Sequence, residues 1–180
     1  MAERILDLGI GYGGEYLPLD TWQRIGFDVR DDRLGLIKNK FGIDSVVGDV
    51  GQFLPFCDNS FSKVQCFFPT DELLLKLTED SGILWDEISR VLKPSRFAEI
   101  YFESNAGNKR KVIFGPEVIE VNPLRMIKIA SQKGFRVKTA KLNDKDISKF
   151  MTSTLENILE LEPQSVLWKI RAEKLSQKED

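Results

Sequence analysis

The residues best suited to chemistry come first in the chain, where Ile5-Leu6-Asp7-Leu8 runs as an apolar strand into Gly9-Ile10-Gly11-Tyr12-Gly13-Gly14. Glycine permits positive φ and leaves room for a ligand to approach the backbone. Four glycines in six residues are more than a plain tight turn requires. Two ligand classes fit the loop. Gly9, Gly11 and Gly14 satisfy the dinucleotide fingerprint, and Asp28 stands about where a ribose-binding acid belongs. Asp7 opposes that reading, because its carboxylate would face an incoming pyrophosphate. The same charge suits a cation and can position an ammonium group, directly or through water.

Two further strands end in acids. Arg24-Ile25-Gly26-Phe27-Asp28-Val29 places a carboxylate where it can accept from both hydroxyls of a ribose lying in the crevice of a sheet. Val47-Gly48-Asp49-Val50 does the same for an adenine amino group. The chain has no histidine, which removes Ser-His-Asp and Cys-His catalysis and His-ligated zinc. Its two cysteines, Cys57 and Cys66, form neither a disulfide framework nor a metal site unaided and read as small core hydrophobes.

Apolar runs rich in Val, Ile and Phe alternate with helix-period stretches, which predicts an α/β domain built on a mostly parallel sheet. The predicted strands are Arg4–Leu8, Arg24–Val29, Ser45–Val50, Lys63–Phe68, Arg96–Ser104, Phe135–Leu142 and Ser165–Glu173. A helix opens at Asp31-Asp32 and stops at Gly42. A second is capped by Ser81 and ends before Lys93-Pro94. A third starts at Asn122-Pro123 and ends at Gly134. A last helix is expected over about Asp144–Leu161, and the first crossover, between Gly14 and Arg24, is short. With 180 residues, 42% hydrophobic and 30% charged, the expectation is one domain spanning 1–180. The net charge of −2 excludes a uniformly basic nucleic-acid binder. No apolar run reaches the ~20 residues of a membrane span and no signal-peptide core is present, so a cytoplasmic location is expected.

The ordered set of motifs resembles the class I S-adenosylmethionine-dependent methyltransferases. It consists of D-x-G-x-G-x-G at Asp7–Gly13, Asp28, Gly48-Asp49, L-P-F-x-x-x-x-F at Leu54–Phe61, and R-V-L-K-P at Arg90–Pro94, together covering residues 4–104. The resemblance implies S-adenosyl-L-methionine as the cofactor, with contacts from Asp7, Gly9, Gly11, Gly13, Asp28, Asp49, Val50 and Phe67. It implies a Rossmann-like α/β sheet in the order 3-2-1-4-5-7-6 with an antiparallel last strand. Two departures stand out. Ser95-Arg96 replaces the paired glycines that usually follow R-V-L-K-P, and the first strand begins near residue 4 without the family's usual N-terminal closing segment.

In this fold an acceptor binds at the end of the fourth strand. There Pro69, Thr70 and Asp71 are the candidate catalytic residues, offering carbonyls, a hydroxyl and a carboxylate to hold a nitrogen in line. Methyl transfer to a neutral nitrogen needs positioning and exclusion of water more than a strong base. The same stretch, read as structure alone, is a proline turn into a helix whose first-turn acids complement its dipole. The Phe68-Pro69 turn is similar to two RNA-modifying branches, the tRNA guanine-N7 methyltransferases and the aminoglycoside-resistance methyltransferases of small-subunit ribosomal RNA. The tryptophan clamp of the latter is not carried over. Thr70 stands at its first position, and Trp85 and Trp168 read as core residues.

Charge favours an RNA contact. From Asn108 to Lys149, 11 basic residues face 4 acids, while the remainder holds 15 basic and 24 acidic residues. The stretch overlaps the expected substrate loop at Asn105–Lys111, and its residues Lys109–Lys149 are the candidate RNA-binding region. The sequence therefore points to N-methylation with an RNA base as first choice of acceptor. A small-molecule N- or O-methyltransferase is the alternative, and a non-catalytic cofactor-binding or partner protein is the third reading.

Overall fold

The arrangement of the main sheet follows from where the chain places its long apolar strands. The computed structural model describes residues 3–10, 23–104, 110–114, 116–122, 124–142 and 166–176. In chain order the elements are β1 (Arg4–Leu8), β2 (Gln23–Asp28), α1 (Asp31–Phe41), β3 (Asp44–Val47), β4 (Phe61–Phe67), α2 (Asp71–Thr78), α3 (Ile83–Val91) and β5 (Leu92–Ser104). They continue with β6 (Arg110–Phe114), β7 (Glu117–Val121), α4 (Arg125–Gln132), β8 (Phe135–Lys141) and β9 (Val166–Lys174). Seven strands form one sheet in the order β3-β2-β1-β4-β5-β9-β8. β1 to β5 pair in parallel, and β9 runs antiparallel to both neighbours. This is the sheet order implied by the sequence resemblance.

The sheet has two unlike faces. On one, Leu6, Leu8, Val64, Cys66, Ile100, Phe102 and Ile170 pack against Leu74 and Leu77 of α2, Trp85 and Ile88 of α3, and Met126 and Ile129 of α4. Trp85 is fully buried, and its indole N–H donates to the Leu77 carbonyl at 3.0 Å, so its polar atom is satisfied inside the core. The other face carries polar side chains in one row across the strands. Asp7 lies opposite Gln65, Gln65 opposite Glu99, and Glu99 opposite Arg171. Glu99 accepts from Lys63 Nζ at 2.9 Å, Lys169 Nζ at 2.6 Å and the Tyr101 hydroxyl at 3.1 Å. Burial alone would raise its carboxyl pKa. The charge of Lys63 and the hydrogen bonds from Lys169 and Lys63 outweigh burial and hold it below the ordinary value.

Several expected boundaries move, and β5 begins four residues earlier than expected, at Leu92. β3 ends at Val47, so Gly48–Val50 belong to the loop beyond it, and β9 runs one residue further, to Lys174. Gly82, with φ of 63°, holds the N-cap of α3 in place of Ser81, whose hydroxyl accepts weakly from the Ile83 N–H at 3.5 Å. Asn122 satisfies the N–H of Leu124 at 2.9 Å, one turn ahead of α4 proper. The β6–β7 hairpin forms a second sheet that the strand reading omitted. Cys66 is buried as expected, but Cys57 is exposed, which corrects its assignment to the core. The expected helix over 144–161 and the short first crossover lie outside the described residues. No helix among the described residues is long and apolar enough to cross a membrane.

Glu99 gives the fold a testable acid sensitivity. Its folded-state pKa lies below the ordinary value of 4.5, so its contribution is complete above that pH and is lost as pH falls through the depressed folded value. Glu99→Gln is expected to cost about 1–3 kcal/mol at neutral pH, because two ammonium groups lose their charged partner. Urea unfolding followed between neutral and acid pH should show a shallower acid limb for the variant. Parallel limbs would rule out Glu99 as a source of the acid sensitivity.

Candidate functional site

A cavity of about 280 Å³ lies between the carboxyl ends of β1, β2 and β3 and the first turn of α2. This is the crevice where the strand order reverses on either side of β1, the usual ligand position in an open α/β sheet. Three backbone segments make its walls. β1 ends at Gly9, which has φ of 62° and donates its N–H to the Phe27 carbonyl at 2.8 Å. A Cβ at Gly9 would stand 2.8 Å from Leu73 Cδ2, so this glycine serves the approach of α2 as well as the turn.

β2 ends at Asp28. It is buried, and its Oδ1 accepts the Arg30 N–H at 2.9 Å, which fixes the carboxylate at the strand end. The loop after β3 starts with Gly48, whose N–H donates to the Asp28 carbonyl at 3.0 Å. A Cβ on Gly48 would stand 2.6 Å from Phe27 Cζ. Asp49 folds the next turn on itself, with Oδ1 accepting the Gly51 N–H at 2.7 Å. The expected cofactor residues Gly9, Asp28, Asp49 and Val50 all line this one cavity. Close-packed glycines, the strand-end carboxylate of Asp28 and the loop carboxylate of Asp49 fit an adenosine ribose and its base.

The other expected residues fall elsewhere. Asp7 is buried with the Arg24 guanidinium 3.8 Å away and is not among the cavity's wall residues. Phe67 stacks on Tyr101 with ring centroids 4.5 Å apart and planes 6° off parallel, and it too lies off the wall. Gly11 and Gly13 lie outside the described residues.

At the fourth-strand turn, Phe68 adopts φ of 50°, a left-handed conformation unusual for a bulky residue, and its N–H donates to the Tyr101 carbonyl at 2.8 Å. Pro69 is buried behind it. Thr70 caps α2: its Oγ1 accepts from the Leu73 N–H at 3.4 Å, and its carbonyl accepts from the Leu74 N–H at 2.8 Å. Thr70 and Asp71 both line the cavity, so the turn meets the strand-end acids in one space.

Sequence reasoning missed Glu72 and the neighbouring groove. A second cavity of about 670 Å³ shares Asp49 and Glu72 with the first and continues between α2 and β7, where Ile119 and Glu120 form its far side. The β-branched residues Val118, Ile119 and Val121 were the available signal for that strand.

Three of the described cations of the basic stretch meet acids from outside it. Arg125 pairs with Asp80, Lys133 with Asp86, and Arg136 with Glu173, so acids from elsewhere neutralise them. Lys141 lies over the Trp168 ring on β8, the sheet edge farthest from β1 and the cavity. Among the described residues, no cluster of three or more metal-ligating side chains is present.

Comparison with known proteins agrees with this geometry. A family described as a methyltransferase domain matches residues 6–98, just over half of the chain. No curated protein is significantly similar in sequence. Among solved structures, an antibiotic-related methyltransferase superposes with a TM-score of 0.69 at 16% identity, over 96% of this chain and 89% of that one. A chain from the complex between the Haloferax volcanii Trm112 methyltransferase activator and a methyltransferase gives 0.67 at 16% identity, over 100% and 86%. A Haemonchus contortus phosphoethanolamine N-methyltransferase, bound to phosphomonomethylethanolamine and S-adenosylhomocysteine, gives 0.62 at 19% identity, over 98% of this chain and 49% of that one. The present chain spans about half of that enzyme. At these identities the likeness is one of fold.

Hydrogen bonds to a charged acceptor contribute roughly 1.5–3 kcal/mol, so Asp28→Ala is expected to weaken S-adenosylmethionine binding by about 10–150-fold. Gly48→Ala should also weaken it, since the loop must move off Phe27. Calorimetry on protein shown to be folded by circular dichroism checks both, and an unchanged dissociation constant for Asp28→Ala removes it from the ribose site.

Proposed function

Because the chain belongs to the class I S-adenosylmethionine-dependent methyltransferases, we propose that it methylates a nitrogen on a small, amine-bearing acceptor presented at the β4–α2 turn. S-adenosyl-L-methionine is its cofactor. When bound, it supplies an electrophilic methyl group on a sulfonium.

The chain's own residues do the rest. Asp28 and Asp49 hold the ribose and base, and the Gly9 backbone gives room for the linking atoms. Asp71, on the wall of the first cavity, and Glu72, shared by the two cavities, hold the acceptor's positive or hydrogen-bonding end. A neutral amine brings its own lone pair, so orientation carries the rate and no histidine is needed.

The observation that supports an amine is the charge of the walls. Asp28, Asp49, Asp71 and Glu72 face a single Arg30 around the first cavity. The adjoining groove adds Glu79 and Glu120 against Lys76 and Arg125. Lys76 lies 3.7 Å from Glu79, and Arg125 is paired with Asp80. Such a rim attracts ammonium-bearing molecules and repels phosphates.

A second reading keeps RNA as the acceptor. It draws on Arg110 and Lys111, which lie on β6 where that strand packs beside α2. We assign the activity to one domain covering 1–180 in the cytoplasm under either reading.

Turnover on a panel of amines, with a methyl-labelled cofactor, separates the two readings. Asp71→Ala is expected to lower kcat and kcat/KM together by more than about tenfold while changing cofactor affinity by less than about threefold, the pattern of an interaction made in the transition state. Thr70→Ala removes a helix cap and should cost about 0.5–2 kcal/mol of stability. Thr70→Ser restores the cap and should restore the melting temperature. Full activity of Asp71→Ala would place the acceptor elsewhere. If no amine is methylated but RNA binds, replacing Arg110 and Lys111 by Ala should flatten the salt dependence by about 2 in slope, and the RNA reading takes over.

A further inference from the structure

The adenine-side loop is held from beneath by a residue that touches neither cavity wall. Arg90 stands in the last turn of α3, and its guanidinium reaches two backbone carbonyls of the segment that returns from Asp49 to β4. It donates to Leu54 O at 2.7 Å and Phe56 O at 2.7 Å. It also donates to Glu87 Oε1 at 2.9 Å, Glu87 Oε2 at 2.8 Å and Asp58 Oδ1 at 2.8 Å. Glu87 closes the ring, because its Oε2 accepts the Leu54 N–H at 2.9 Å. The Phe53 ring covers the guanidinium, with its centroid 4.5 Å from the central carbon. Helix α3 thus grips both the N–H and the C=O of one loop residue, and the planar fork of arginine makes the two carbonyl contacts simultaneously.

The grip reaches the cavity through packing. Phe56, fixed through its carbonyl, sets its ring edge-on to Phe27 with centroids 5.9 Å apart. Phe27 is fully buried and lies directly beneath Gly48, the residue before Asp49. Val50 and Phe56 both pack against the main core. The loop's entry is tied to β2 by the Gly48 N–H, and its return is tied to α3 by Arg90 and Glu87.

We infer that Arg90, held by Glu87, is a positioning residue for the adenine subsite: it sets the height of the loop that presents Asp49 and Val50 to the base. This rests on the assignment of Asp49 to the cofactor. It also accounts for two motifs occurring together, since R-V-L-K-P supplies the guanidinium and L-P-F supplies the carbonyls that it binds.

A double-mutant cycle tests it. Arg90→Lys keeps the charge but cannot make the forked contacts, and Glu87→Gln keeps the shape but loses the charge that orients the fork. Either is expected to raise the cofactor dissociation constant and KM at least about fivefold while leaving kcat within about threefold. If Arg90 acts through the loop, Arg90→Lys should add less than about twofold in an Asp49→Ala background, because coupled residues are not additive. Additive effects, or a kcat loss as large as the KM change, would overturn the inference. Should Arg90→Lys fail to fold, Glu87→Gln carries the same cycle. An Asp49→Ala variant with unchanged cofactor affinity would refute the adenine assignment itself. A weakened Asp49→Ala beside unaltered Arg90→Lys and Glu87→Gln would refute only the positioning role.

Discussion

The binding end of this molecule depends on how closely backbones approach one another. α2 comes within side-chain contact of the Gly9 backbone, and the loop after β3 rests on the Phe27 ring at Gly48. At both places a Cβ would collide with an atom that the core holds still, Leu73 in one case and Phe27 in the other. The walls can therefore stand only as far apart as these glycines allow. The same closeness brings Asp28, at the end of β2, and Asp49, in the loop after β3, to one cavity. A glycine at a binding loop is usually credited to the ligand, but at Gly9 and Gly48 the protein's own packing demands it too.

The unequal faces of the sheet extend that constraint. One face is an ordinary apolar core, closed by three helices. The other gathers Lys63, Lys169 and Arg171 about Glu99, with Tyr101 donating to the same carboxylate. A buried carboxylate with several charged donors is costly to disturb and specifies one register across β4, β5 and β9. The Phe67–Tyr101 stack continues this face upward to the fourth-strand turn, where Phe68 bonds to the Tyr101 carbonyl. The strained turn is thus anchored to the most heavily cross-linked strand in the sheet.

Much of this was legible in the residues. Apolar runs alternating with helix-period stretches sufficed for the fold class, whereas the strand order came from the family resemblance that the ordered motifs carry. The hairpin at β6–β7 was not seen, because its short strands read as part of a charged stretch and belong to no βαβ unit. The pairing of the charge strip was also not legible in the sequence. Charge was counted along the chain, but Arg125, Lys133 and Arg136 meet acids distant in sequence. Thr70 has a second role that spacing alone did not separate from the first, since a capping hydroxyl and an acceptor-binding hydroxyl occupy the same sequence position. The missing glycine after R-V-L-K-P left a visible trace: Ser95 keeps φ of 58°, the conformation a glycine would adopt there without strain.

The two cysteines now divide in a useful way. Cys66 is sealed in the sheet, where burial, reinforced by the charges of Asp7 and Asp28, pushes its thiol far up and leaves it inert. Cys57 is exposed in the loop between Phe56 and Asp58, two residues whose polar atoms Arg90 holds. One accessible thiol is thereby left on the loop that Arg90 holds. A fluorophore or spin label attached there, without any engineering of the chain, would follow the movement of that loop directly in solution.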